Sequence, residues 1–391
     1  MTQERSPLLA PGSWMSIGLI YLYGVLSSAS LSKIIPILGD VGAHLGATPA
    51  RFGLLISLMT VLPAVLASVA GSIIDRLGAR STLQLVALAG IAVNGTYLLA
   101  DSLGLFMAIR VVEGLIAVGA YAAAPALIMA TASPGRRGRA MAVWSTYSPV
   151  GVSTGLALSG SFAGTAEWRG GYLLHLALFA LLAVTSPLLP RIPKVVAARS
   201  AGLFDAWTQA GPLRLSLAFA MLIVMGFGLT TIYPEWFALQ HGVPVGDASN
   251  IFSVVTLVMI PAGFTAGALL ARGWRDAYLL AGLMVVAILI SIPMFVPGLA
   301  EGGRIAAMLA WMVVQGAGIA VVMATLPRVV ANPMQGAAAA GLLSQIAAIV
   351  TFVTPLVWQP LLQSRAWPAF VAVVACAAVA TWLVFPRRAV G

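Results

Sequence analysis

The stretch "GSIIDRLGARSTL", Gly71 to Leu83, decides how the chain is read. An apolar run from Phe52 to Ile74 stops at Asp75 and Arg76, and another begins within about eight residues. Charge is scarce elsewhere, since only 8% of the 391 residues are Asp, Glu, Lys or Arg and 60% are hydrophobic. A soluble domain is nearer one quarter charged. Apolar stretches of about 20 residues, long enough to cross a bilayer as helices, recur along the whole chain. The chain therefore reads as an all-α integral membrane protein, and the charged turn reads as a connection between two of its spans.

Twelve spans are expected, at 14–38, 53–74, 82–100, 103–131, 140–164, 170–189, 214–238, 249–271, 277–299, 304–330, 337–362 and 366–386. Nothing ahead of the first span reads as a cleavable signal. With the N-terminus placed in the cytoplasm, fourteen Lys and Arg residues fall inside, among them Arg76, Arg80, Arg136, Arg191 and Arg272. Only Arg51, Arg169, Arg304 and Arg365 fall outside, and Lys33, Arg110 and Arg328 lie within spans. This bias predicts a multi-pass protein of the cell inner membrane with both termini cytoplasmic. It also accounts for the net charge of +10 without a nucleic-acid partner. The expected partners are the lipid bilayer and a small-molecule substrate, with the chain acting as a monomer.

The sequence repeats itself. Val111 to Pro125, "VVEGLIAVGAYAAAP", is echoed by Val313 to Pro327, "VVQGAGIAVVMATLP", at an offset of 202. Leu62-Pro63 is echoed by Ile260-Pro261. Echoes in the same direction imply two six-helix halves, residues 1–189 and 214–391, joined by a cytoplasmic linker over 190–213.

With the repeat in view, Gly71, Asp75, Arg76, Gly78 and Arg80 resemble the signature loop between the second and third helices of the major facilitator superfamily. The resemblance implies twelve helices in two pseudo-symmetric bundles and secondary transport by alternating access. It casts the loop as a latch across the cytoplasmic seam, with Gly71 allowing close helix packing and Gly78 the turn. The second copy, "GALLARGWRD" at Gly267 to Asp276, has Ala271 in place of Asp75. "RVVEGLIAVGA", Arg110 to Ala120, is similar to the Arg-containing fourth-helix motif of that superfamily. "WSTYSPVGVSTG", Trp144 to Gly155, only partly matches the fifth-helix motif of its antiporters, which weakens a drug-efflux reading.

The spans also nominate a path. Arg110 and Glu113 share a helix face and can pair, either permanently or as a proton-coupling device with Glu113 as the titrating group. His175 and Glu235 are the other titratable candidates. A Glu113→Gln change is expected to be tolerated, because Gln315 occupies the matching place. Lys33, before Pro36, either faces the path or snorkels to the outer interface, with snorkelling the first expectation. Tyr121, Tyr147, Met221, Met225 and Gln315 complete the path candidates. Counting Lys33, Arg110 and Arg328 against Glu113, the interior leans positive and favours a small polar or anionic organic solute. The alternatives are a Cu(I) importer using Met221 and Met225, four apart on one helix face, and an efflux antiporter. A non-transporting sensor or an enzyme is the reading from another class. A single cysteine, Cys376, three scattered histidines and no nucleotide-binding loop give no catalytic residues, no cofactor and no resident metal.

Overall fold

The computed structural model describes residues 10–191, 205–330 and 336–386. Residues 192–204, most of the expected linker, lie outside that description, as do the side chains of Asp75, Asp205, Ala206, Gly336 and Ala337. The first half comprises α1 (Trp14–Ser32), α2 (Leu38–Leu45), α3 (Phe52–Ser57), α4 (Val61–Leu77), α5 (Ala79–Leu98), α6 (Leu103–Thr131), α7 (Pro134–Trp144), α8 (Tyr147–Gly160) and α9 (Gly170–Thr185). The second comprises α10 (Ala210–His241), α11 (Val245–Thr256), α12 (Met259–Ala271), α13 (Asp276–Phe295), α14 (Glu301–Thr325), α15 (Gly336–Ser364) and α16 (Trp367–Val384). No strand occurs among the described residues. Helices are the expected outcome, because an open strand would leave backbone polar groups unpaired in lipid.

Eleven segments of the described residues are long and apolar enough to cross a membrane. The remaining expected span, 140–164, is present as two pieces, α7 and α8. Its break at Ser145 and Thr146 precedes Pro149, which has no N–H for the carbonyl four residues earlier. Pro63 and Pro261 likewise follow the breaks between α3 and α4 and between α11 and α12. The twelve-helix architecture is therefore present, with three spans interrupted at proline.

Successive spans run in opposite directions. Gly12, ahead of α1, lies against the Thr131 carbonyl at the end of α6. Arg80 at the start of α5 donates to the Pro187 carbonyl beyond α9, at 2.9 Å. Arg214 near the start of α10 donates to the Val384 and Leu383 carbonyls at the end of α16, at 3.0 and 3.3 Å. The outer surfaces of α5, α9, α13 and α16 carry Leu88, Val184, Leu289 and Leu383, each more than half exposed. Apolar side chains displayed this way suit contact with lipid rather than water.

The sequence echo has a geometric counterpart. A Cβ on Gly114 would collide with the Met59 carbonyl, and one on Gly316 with the Met259 carbonyl. In each half, the matching glycine lets the long fourth helix approach the backbone of the broken second helix. The halves touch each other in the same way at one end only. A Cβ on Gly53 would meet the Pro355 carbonyl, and one on Gly246 the Gly160 carbonyl. At the other end, around Gly71 and Gly267, nothing lies within 4 Å of where a Cβ would stand. Gly71 thus does not mediate close packing in this conformation, contrary to expectation. Gly78 does turn the chain, at φ 87°, a backbone that side chains other than glycine rarely adopt.

Forcing the glycine-sealed end apart should favour the alternative arrangement of the halves. Gly246→Val is expected to add a shorter distance between spin labels at Arg139 and Arg272, which flank the parted end. An unchanged distance distribution would show that this contact does not set the conformation.

Candidate substrate cavity

Between the halves lies a cavity of about 550 Å³. Its walls come from α1, α4, α6, α8, α10, α12, α14 and α15, together with Met59 and Thr60 between α3 and α4, Trp144 at the end of α7 and Thr256 at the end of α11. The first and second helices of each three-helix unit contribute. The third contributes nothing to the lining. The cavity reaches Ala67 and Ala70 on α4, Met323 on α14 and Leu343 and Ser344 on α15, toward the parted end of the molecule.

The lining contains no charged side chain. Pro63, Ala117, Phe219, Phe227, Met312 and Ile319 are typical of it. One wall is aromatic: Trp144 stacks on Tyr147 at 4.5 Å between ring centroids, and Tyr147 meets Tyr121 at 5.0 Å. Gly24 on α1 provides the seat, since a Cβ there would reach within 2.6 Å of the Trp144 ring. The threonines of the lining turn their hydroxyls back on carbonyls of their own segments. Thr60 donates to Ser57 at 2.8 Å, Thr230 to Gly226 at 3.0 Å, Thr256 to Phe252 at 2.8 Å and Thr351 to Ala347 at 2.7 Å. Gln315 supplies the amide of the opposite wall.

The charged path candidates are elsewhere. Lys33, Arg110 and Glu113 are at most 1% exposed and sit together behind α1, outside the cavity lining. Lys33 Nζ is 2.7 Å from Glu113 Oε1, and Arg110 Nη1 is 2.6 Å from Oε2. The Tyr97 hydroxyl donates to Oε2 at 2.8 Å. Lys33 also donates to Asn94 Oδ1 at 2.6 Å and faces the rings of Tyr97 and Tyr172 at 5.3 and 4.9 Å. Snorkelling by Lys33 is thus overturned. The Glu113 carboxylate, one turn beyond Arg110 on α6, and two tyrosine faces hold the ammonium inside the bundle.

Arg110 has a second task. The last four carbonyls of any α-helix lack an intrahelical partner. At the end of α3 these belong to Leu54, Leu55, Ile56 and Ser57. The Leu58 N–H takes Leu54. Arg110 Nε takes Leu55 at 3.0 Å and Nη2 takes Ile56 at 3.2 Å. The Thr60 hydroxyl takes Ser57 at 2.8 Å. Arg110 Nη1 further takes the Ser30 carbonyl at the end of α1, at 3.1 Å. One guanidinium therefore closes the ends of two helices in the bundle interior, α1 and the interrupted α3. The second half needs no such group, because the carbonyls of Val254 and Val255 are taken at 3.1 Å by the N–H groups of Leu257 and Val258. Met312 accordingly stands at the place matching Arg110.

Other charges once assigned to topology also serve as caps. Arg304, fully buried, donates to the Met294 and Val296 carbonyls at the end of α13, at 2.5 and 3.1 Å, and to His241 Nε2 at 3.0 Å. Arg169 donates to Ala100 beyond α5 at 3.0 Å and pairs with Asp101 at 2.8 Å. Arg328 is 55% exposed and pairs with Asp276 at 2.9 Å. The positively leaning path, on which an anionic substrate was expected, is therefore absent from the cavity. His175 is buried beside Ser30, with Nε2 3.1 Å from its hydroxyl. Met225 is fully buried and Met221 partly so, both packed in the second-half core and neither in the cavity lining. The latch residues divide: Arg80 ties two elements of the first half to each other, and the Asp75 side chain lies outside the described residues.

Of the expected path residues, the cavity brings together Tyr121, Tyr147 and Gln315. The sequence reading did not include Met59, Thr60, Thr230, Thr256 or Met312 in the lining, nor Asn94, Tyr97 and Tyr172 around the charges. Asn94 was visible as an isolated amide within an apolar span, the kind of residue that needs a buried partner.

Opposed helical halves, a lipid-facing apolar surface and a central uncharged cavity sealed at one end define a membrane transporter. The family model described as Major Facilitator Superfamily matches residues 20–355, and the chain belongs to that superfamily. It is a multi-pass membrane transporter rather than an enzyme. A solved relative in fold is a bacterial homologue of the human lysosomal transporter Spinster in an inward-facing, unoccupied conformation. That structure has a TM-score of 0.73 and 16% identity, over 95% of this chain and 94% of the other. The occupied inward-facing form of such a homologue gives 0.69 and 18% identity, over 94% and 93%. In sequence the chain is 27% identical over 213 residues to the multidrug efflux protein YfmO of Bacillus subtilis strain 168. That match takes in 54% of this chain and 52% of the relative, so the chain spans about half the length of the curated relative it matches.

Removing Glu113 would leave two buried cations without a counter-charge. The expectation that Gln is tolerated there does not carry over, because Met312 and not arginine precedes Gln315 by one turn. Glu113→Gln is expected to cost about 3–5 kcal/mol. Lys33→Met keeps the Arg110–Glu113 pair and should cost less. Thermal unfolding of the purified proteins gives the ranking, and equal midpoints for Glu113→Gln and the native protein would contradict it.

Proposed function

We propose that this transporter exports neutral, apolar or amphipathic organic solutes from the cytoplasm, acting as a monomer in a cell inner membrane with both termini cytoplasmic. The observation that carries the reading is the absence of any charged side chain from the cavity lining. A charged solute entering it would lose hydration with no opposite charge to replace it. The fourteen-to-four distribution of basic residues supports the orientation. In that orientation the parted end faces the cytoplasm, where an exporter loads. The partial similarity to a protein named for multidrug efflux agrees with this substrate class. If a proton supplies the energy, the first-half groups Lys33, Glu113 and His175 are where it would bind.

Cells producing the protein are expected to accumulate less of the neutral dye Nile red than cells without it. Val118→Trp, which fills the cavity without adding charge, should abolish the difference. Benzoate, a small organic anion, should be unaffected in both. Benzoate movement without dye movement would favour the anion reading and overturn this one.

Asp75 is proposed to latch the cytoplasmic end when the halves close there. Losing one charge-assisted bond costs about 1.5–3 kcal/mol. Asp75→Asn should therefore shift the balance between the two conformations by about ten-fold or more while dye binding stays nearly constant. The labels at Arg139 and Arg272 report that balance, and an unchanged distribution would reduce the loop to a topology signal.

A further inference from the structure

The turn between α12 and α13, the second copy of the charged loop, carries exposed cations and exposed aromatic rings together. At the end of α12 the Gly273 and Trp274 N–H groups donate to the Leu270 and Leu269 carbonyls, at 3.0 and 3.2 Å. Gly273 turns the chain at φ 91°. In such a closure the residue after the glycine commonly packs an apolar side chain back onto the helix. Trp274 is instead 57% exposed. Tyr278, on the first turn of α13, is 68% exposed. It shares a helix face with Val285, Leu289 and Ile292, all exposed, so its ring ends the apolar stripe that α13 turns to lipid. The Arg275 guanidinium lies over that ring at 4.7 Å, and Arg272, also exposed, ends α12 just before the turn. Asp276 does not neutralise this pair. Its carboxylate is taken by Arg328 at 2.9 Å, by the Thr325 hydroxyl at 3.3 Å and by the Ala277 N–H at 2.8 Å. Among the described residues no carboxylate forms an ion pair with Arg272 or Arg275.

We propose that this surface binds an anionic phospholipid, with Arg272 and Arg275 holding the headgroup phosphate and Trp274 and Tyr278 seated where headgroup meets acyl chain. Indole and phenol rings favour that depth of a membrane. Arginines near an anionic lipid surface add attraction that a neutral lipid does not provide. Gly282, one turn along α13 from Tyr278, is exposed and has nothing within 4 Å of where a Cβ would stand. The stripe is therefore notched beneath the Tyr278 ring, which leaves room for an acyl chain. The occupant is a lipid rather than a free anion, because the cations sit on rings continuous with the lipid-facing stripe. The first copy of the loop is built differently. Arg80 donates to the Pro187 carbonyl, and no aromatic residue occurs between Gly71 and Leu83. The inference does not depend on which solute the cavity takes.

Phosphatidylglycerol and phosphatidylcholine with the same brominated acyl chains test this, since bromine quenches an indole it touches. Each is titrated into the purified full chain in detergent, and the signal of Trp274 is the native fluorescence less that of Trp274→Phe. Phosphatidylglycerol is expected to quench Trp274 at a lower concentration than phosphatidylcholine. Arg272→Gln and Arg275→Gln should each raise the phosphatidylglycerol concentration needed by about five-fold, the worth of one cation at an anionic lipid surface, and leave the phosphatidylcholine curve in place. Arg139→Gln, on the basic first turns of α7, should move neither curve. Coincident curves for the two lipids, or a phosphatidylglycerol curve that neither Arg272→Gln nor Arg275→Gln moves, would overturn the proposal. Soluble glycerophosphoglycerol that reverses the quenching at the same concentration as the lipid would make this an anion site rather than a lipid site, and would overturn it too.

Discussion

A helix interrupted inside a bilayer exposes carbonyls that no water can satisfy, and each one left bare costs several kcal/mol. Most of the arrangement of the first half follows from how that constraint is met. The α3 and α1 ends are closed by three bonds from Arg110, and Thr60 closes one more. A guanidinium suits the task because its donors diverge in a fixed plane. Its charge then needs a counter-charge, which Glu113 provides, and Glu113 in turn receives Lys33 and Tyr97. The cluster is thus a chain of consequences that begins with a broken helix.

The breaks are what shape the cavity. Thr60 and Met59, in the turn between α3 and α4, and Thr256 and Met259, around the turn between α11 and α12, all belong to the lining. Straight helices would pass these points with uniform walls. Here the backbone bends, Gly114 and Gly316 admit the bent carbonyls of Met59 and Met259, and space remains between the halves. Because the charges needed to close the breaks are drawn behind α1, the cavity itself stays uncharged. Structural cations and the substrate path are thereby kept apart in the first half, and the second half closes its own break after α11 without a cation, by tightening its backbone.

The fold was largely legible in the sequence. Repeated apolar runs, the echo at 202 and the charged turn at Gly78 carry it, because span length and glycine geometry are local properties. The path was legible in part. Tyr121 and Gln315 lie on the two long helices that carry the repeat, and Tyr147 on the broken fifth span, and all three line the cavity. The charges were misassigned for a physical reason. Whether Lys33 snorkels or pairs depends on Asn94, Tyr97 and Glu113, which come to it only through tertiary packing. Likewise Arg304 reads as a topology charge until α13 ends beside it. Met221 and Met225 have the right spacing for a shared face, but spacing does not tell which face turns to the cavity.

Backbone hydrogen–deuterium exchange of the native protein and Arg110→Lys tests most directly whether Arg110 holds the ends of α1 and α3. Lysine keeps the charge for Glu113 but cannot reach the carbonyls of Ser30, Leu55 and Ile56 together. Faster exchange is expected in segments 33–38 and 57–62, where α1 and α3 end, with little change in the second half. Unchanged protection in those two segments would contradict the account and leave Arg110 as a partner of Glu113 alone.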